Sequence, residues 1–169
     1  DDAYVIAPNQ TGIQEVKFDD PDNFMFSKDL LKFVEKYHLN LTSNFNFREI
    51  FGSDTQLDHH YNTPRAWYGQ RYFNPESVKD LSPMSNKLPF INYADRKITI
   101  EDIKFVLSSH YQDTPYDPFA PGADYKTNPY RPIGFNRNQE LSILQLRPYV
   151  AEDHAAIQWL AFAGNPFNT

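Results

Sequence analysis

Residues 108–147 read SSHYQDTPYDP, then a proline-rich loop, then YRPIGFNRNQELSILQLRP, and so gather hydroxyls, an imidazole, carboxylates and guanidinium groups between two regularly patterned segments. Ser108, Ser109 and His110 are contiguous. A nucleophile and its base must meet across space, so their adjacency is no evidence for a serine triad. His110, Thr114 and Asp117 are expected to anchor the loop through hydrogen bonds, with direct substrate contact as the alternative. Arg137, in the NRN turn, either touches substrate or pins the entry to the following strand. At the other end of the chain, Asn9 follows a short apolar run. Its carboxamide either caps its own turn or projects from a sheet edge as a fixed hydrogen-bond donor. Arg65 and Arg71 lie among aromatic residues, where a guanidinium can stack on a ring or reach water. Asp54, Asp58, His59 and His60 are the densest set of metal-ligating types. Neighbouring histidines point apart and no H-E-x-x-H spacing is present, so a solvated loop is expected there rather than a metal site.

The elements that must carry these groups follow from periodicity and punctuation. Residues 3–7 form an apolar run closed by Pro8 and Asn9, which predicts a buried strand, and residues 12–18 offer a second. A strand so near residue 1 must pair with later segments or with polypeptide outside this sequence. Ser27 as N-cap, Asp29 in the first turn and Leu30, Leu31, Val34 and Tyr37 at helical spacing predict a helix over 27–38. A single helical turn is expected at 46–51. Pro64 suits the first turn of a third helix carrying Trp67, Tyr68, Arg71 and Tyr72, stopped by Pro75. After a loop over 77–96, Thr99 and Asp102 form a capping-box start, and Ile100, Ile103, Val106, Leu107 and His110 make one apolar stripe. Prolines 115, 118, 121, 129 and 132 keep residues 112–132 out of regular structure. Leu141, Ile143 and Leu146, then Ile157, Trp159, Leu160 and Phe162, predict an antiparallel strand pair.

Composition narrows the function classes. The 169 residues suffice for one domain with its own core, although 13 prolines point to much irregular loop. The net charge of −6 is dispersed and no basic run occurs, so neither nucleic acid nor an anionic membrane surface is an expected partner. No apolar run approaches the roughly 20 residues that span a bilayer. Asp1 and Asp2 do not form a basic secretory leader. The absence of cysteine excludes disulfides and thiolate metal sites within this sequence.

The SSHY ending of one helix, the T-x-YDP loop, the strand introduced by NR, and the segments DDAYVIAPNQTGI, MFSKDLLKFVEKYHL and YNTPRAWYGQRYF resemble the dipeptidase A family of N-terminal-nucleophile (Ntn) cysteine hydrolases. The resemblance spans nearly the whole chain. It implies an α+β fold, here part of a four-layer αββα sandwich of antiparallel sheets between helices. That family attacks with a cysteine at the mature amino terminus, whereas this sequence has none and begins with Asp1. Residues 1–169 are therefore expected to be a single internal fragment of a larger Ntn-hydrolase domain. The resemblance further implies a dipeptide substrate, no cofactor and a cytoplasmic location. It places Asn9 where the family has an oxyanion asparagine, Arg65 or alternatively Arg71 as the active-site arginine, and the nucleophile on the missing remainder of the polypeptide. Homo-oligomerisation through exposed strand edges is also open. Two competing readings remain: a non-enzymatic binding or interaction module using the 16% aromatic content as a stacking surface, and a metal-dependent hydrolase built on Asp58 and His59.

Overall fold

The helix over Ile100–Leu107 shows how locally some of this chain is specified. Thr99 caps it by accepting from the Asp102 amide, and the Asp102 carboxylate returns a bond to the Thr99 amide, completing a capping box. In chain order the computed structural model contains β1 (Ala3–Val5), α1 (Leu30–Lys36), α2 (Phe47–Phe51), a π-helical turn (Asp58–Asn62), α3 (Thr63–Phe73), α4 (Pro75–Val78), β2 (Ile91–Tyr93), α5 (Ile100–Leu107), β3 (Leu141–Leu146), a 3-10 turn (Glu152–His154) and β4 (Ala156–Ala161). It describes residues 3–42, 44–124, 126, 129–135 and 137–162. Asp1, Asp2, positions 125, 127 and 128 of the proline-rich loop, Asn136 of the NRN turn and the end of AIQWLAFAG lie outside the described residues. Among the described residues no helix is long and apolar enough to cross a membrane.

Two small antiparallel sheets, β1–β2 and β3–β4, accompany the helices, which makes the fold α+β. In the first, Ala3 lies opposite Tyr93 and Val5 opposite Ile91. In the second, Leu141 faces Ala161 and Leu146 faces Ala156. The hairpin buries Ile143 and Ala161 on one side. On the other, Leu144, Leu146 and Leu160 are 74%, 80% and 43% exposed. Lys104 of α5 is buried with its Nζ 5.1 Å above the Trp159 ring, which fastens the hairpin to that helix.

The core is built on α3. Ala66, Trp67 and Tyr68 pack with Val78, Leu88, Tyr111 and Tyr130, with Ile6, Leu81, Tyr116 and Ile133 around them. Each fully buried side chain of this size contributes about 1.5–3 kcal/mol. Trp67 Nε1 donates to the Leu81 carbonyl at 3.0 Å and Gln70 Nε2 to that of Pro89 at 2.8 Å, while the buried Gln70 Oε1 has no hydrogen-bond partner among the described residues. Gly134 lets the chain pass the end of α5. A Cβ there would lie 2.4 Å from the Ser108 carbonyl oxygen, and the Gly134 amide bonds the Ser109 carbonyl at 2.7 Å.

Several expectations are corrected. Residues 12–18 form no strand, because no neighbouring strand pairs with them; Gln14 instead accepts from the Phe47 amide and donates to the Leu88 carbonyl. Helix α1 starts at Leu30 with Asp29 in the capping position, not Ser27, and only Val34 of its apolar stripe is buried. Pro75 does not simply stop a helix but opens α4, and β2 lies in what the sequence presented as loop. Helix α5 ends at Leu107, before His110, and buries Asp102, Lys104 and Val106 rather than the whole predicted stripe.

Candidate active site

Strand β1 delivers the chain into a turn, closed by the Gln10 amide on the Pro8 carbonyl at 2.6 Å, that leaves Asn9 exposed above the start of α3. The π-helical turn and α3 bring three side chains to it. Asp58 is buried at 4% exposure and accepts from the Thr55 amide and hydroxyl at 2.9 Å each and from Asn62 Nδ2 at 2.8 Å. Burial alone would raise its carboxyl. The hydrogen bonds from Thr55, Asn62 and Ser53 outweigh that and hold it at about 2. Asn62 Nδ2 also donates to the Asn9 carbonyl at 3.2 Å, while its Oδ1 accepts from Arg65 Nη2 at 2.7 Å. Arg65 Nη2 in turn reaches Asn9 Oδ1 at 3.0 Å, and its Nε donates to the Tyr61 carbonyl. Asp58, Asn62, Arg65 and Asn9 thus form one chain of hydrogen bonds.

The direction of that chain has a chemical consequence. A guanidinium only donates, so the Asn9 atom it meets is the amide oxygen, and the amide nitrogen of this exposed residue is left as a donor. Burial lowers the Arg65 guanidinium from its ordinary value; Tyr111 opposes this and the nearby Arg131 charge adds to it. Arg65 remains a cation throughout the physiological range.

His110, Thr114 and Asp117 gather separately, on the loop after α5. His110 Nδ1 lies 2.7 Å from Asp117 Oδ1, which also accepts the Phe119 amide at 2.8 Å. Thr114 Oγ1 donates to the Tyr111 carbonyl at 2.6 Å and accepts the Tyr116 amide at 3.2 Å. These are contacts within the loop itself. Tyr111, at φ 68°, and Asp113, at φ 62°, hold left-handed backbone there, uncommon for residues other than glycine. Tyr111 is fully buried and its hydroxyl donates to the Arg131 carbonyl at 2.6 Å; burial raises that phenol well above its ordinary value.

The two candidate arginines diverge. Arg71 sits six residues after Arg65, on another side of α3, exposed and 5.7 Å over the Trp67 ring. Arg137 is exposed, 5.8 Å from the Phe135 ring. The solvated-loop expectation over residues 54–60 holds for exposed Asp54, which meets His59 Nε2 at 2.6 Å, but fails from residue 56 onward, where the chain is helical and buries Asp58 with hydrogen bonds that compensate its burial. Among the described residues no group of three or more His, Cys, Asp or Glu could hold a metal ion. Sequence reasoning singled out neither Asn62 nor Arg131. The spacing of Asp58, Asn62 and Arg65, four and then three residues apart, was the available signal for the first, because such positions share a helical face.

A mixed α+β chain with this asparagine–arginine constellation is matched along its full length, residues 1–169, by the family described as Peptidase family C69, and the chain belongs to that family. It is 50% identical over 171 residues to dipeptidase A of Lactobacillus helveticus, covering 100% of this chain and 36% of that protein. Against a probable dipeptidase A of Streptococcus pyogenes serotype M18 the identity is 49% over 173 residues, again 100% of this chain and 36% of the relative. A dipeptidase of Bifidobacterium longum is 47% identical over 184 residues, 100% of this chain and 34% of that protein. The chain therefore spans about a third of the length of these curated relatives.

Proposed function

We propose that this chain is an internal part of a dipeptide-hydrolysing cysteine peptidase, one segment of an Ntn-type αββα domain whose nucleophile lies elsewhere in the polypeptide. The observation that carries the reading is the Arg65 Nη2 contact to Asn9 Oδ1 at 3.0 Å, which leaves the amide nitrogen as a donor. In this scheme a cysteine thiolate attacks the peptide carbonyl of the dipeptide. The free α-amino group of the same cysteine takes the thiol proton and passes it to the leaving amine. The carbonyl oxygen becomes an oxyanion, held in part by Asn9 Nδ2, and water then releases the acyl group. Arg65 orients Asn9, and the buried Asp58 fixes Arg65 through Asn62. His110, Thr114 and Asp117 anchor the loop that follows α5. No cofactor takes part, and the enzyme works in the cytoplasm.

The test is dipeptide hydrolysis by the full-length protein and by the isolated 169 residues. The full-length enzyme is expected to be active and to lose activity on thiol alkylation. The isolated chain, which contains no cysteine, is expected to be inert. Turnover by the isolated chain, or alkylation-resistant turnover by the whole enzyme, would refute the mechanism.

A further inference from the structure

Arg131 is a described cation that the mechanism above leaves without a task. Its guanidinium lies 4.5 Å from the Phe135 ring centroid and 5.5 Å from that of Tyr61. Its main chain is fixed on both sides: the amide donates to the His60 carbonyl at 3.0 Å, and the carbonyl accepts the Tyr111 hydroxyl at 2.6 Å. Its side chain makes no hydrogen bond or ion pair among the described residues. Rings that restrain a guanidinium while its N–H edge stays open leave a preorganised fork, matched in geometry to a carboxylate.

Arg131 also stands beside the Asn9 constellation. Tyr61 offers its ring to Arg131 and its carbonyl to Arg65 Nε, and Arg65 holds Asn9. Arg65 has committed Nε and Nη2 to Tyr61, Asn62 and Asn9. No carboxylate among the described residues makes an ion pair with either arginine, so the two cations face an unneutralised spot.

A dipeptide differs from a longer peptide in that its free carboxylate lies one residue beyond the scissile carbonyl. Successive α-carbons are about 3.8 Å apart, so when Asn9 holds the carbonyl oxygen the carboxylate must fall close by. We infer that Arg131, restrained by Tyr61 and Phe135, grips the C-terminal carboxylate of the dipeptide and so restricts the enzyme to substrates ending one residue after the cleaved bond. This rests on the dipeptidase reading above.

The experiment compares a dipeptide with its C-terminal amide, using the full-length enzyme and its Arg131→Gln and Arg131→Lys variants. The wild type is expected to favour the acid in kcat/KM. Arg131→Gln is expected to raise KM for the acid by about 10- to 100-fold with kcat within about threefold. Amide turnover should be unchanged, which also reports that the variant folds, and Arg131→Lys should recover part of the acid preference. Equal wild-type rates on acid and amide overturn the inference without any variant, as does an Arg131→Gln enzyme that retains the acid preference. An active enzyme with no acid preference refutes the carboxylate site alone, whereas a full-length protein inert on every dipeptide refutes the hydrolase reading and this inference with it.

Discussion

Asn9 and Arg65 are coupled through one amide oxygen, so their substitutions are expected to be non-additive. In the full-length enzyme Asn9→Ala should lower kcat by about 10²–10³, or about 3 kcal/mol, with little change in KM. Arg65→Met should lower it as well, by freeing the amide to rotate, and the double variant should be little worse than the worse single one. A fully additive cycle would show that Arg65 does not act through Asn9. Arg71→Met, on a different side of the helix, should stay within about threefold of wild type. Asp58 lends itself to a pH test. Its folded value of about 2 lies below the ordinary carboxylate value near 3.9, so the stability it contributes is present above about pH 4 and is lost as pH falls toward 2. Asp58→Asn is expected to lower stability at pH 7 and to flatten the acid limb of a denaturation profile over that window. At this scale residue types were legible in the sequence but their geometry was not. Asn9, Arg65, His110 and Asp117 stood out by type and motif. Asn62 and Arg131 meet partners distant in sequence, as the bond from Asn62 to the Asn9 carbonyl illustrates, and no local pattern announces such a partner.

Elements legible in the sequence were those specified by their own residues. Thr99 and Asp102 announce the start of α5, and Asn46, which accepts the Glu49 amide, announces α2. Strand β2 was not legible, since three residues reveal no period and what makes them a strand is β1. Asp102 does more than cap. Its Oδ1 accepts from Arg96 Nη2 at 2.7 Å and from the Tyr72 hydroxyl at 2.8 Å, and its Oδ2 accepts from Arg96 Nη1, tying α5 to α3 and the loop before it. The Arg96 hydrogen bonds are the main cause holding its carboxyl below the usual range. Asp102→Ala is expected to cost about 2–4 kcal/mol, measured by chemical denaturation, because it strips a cap and leaves Tyr72 without its acceptor. Gly134→Ala is expected to destabilise by about 1–3 kcal/mol, since the added methyl meets backbone rather than a yielding side chain.

For the molecule as a whole, the hairpin of β3 and β4 was readable from alternation, whereas the uncovered side of that hairpin was not. Leu144, Leu146 and Leu160 project together from it. The isolated chain is therefore expected to self-associate with rising concentration, and Leu144→Lys with Leu146→Lys to suppress this in sedimentation experiments. The pairing of β1 with β2 carries a different consequence, one of timing. Those strands come from opposite ends of the first hundred residues, and Asn9 follows directly on β1. Joining them closes a long loop, an entropically slow step, whereas α5 forms from neighbours alone. Asn9 should then be set in place late during refolding and released early on gentle unfolding. In hydrogen exchange the amides of residues 3–5 should open well before those of α3, so that competence at Asn9 is lost while the hydrophobic centre still stands.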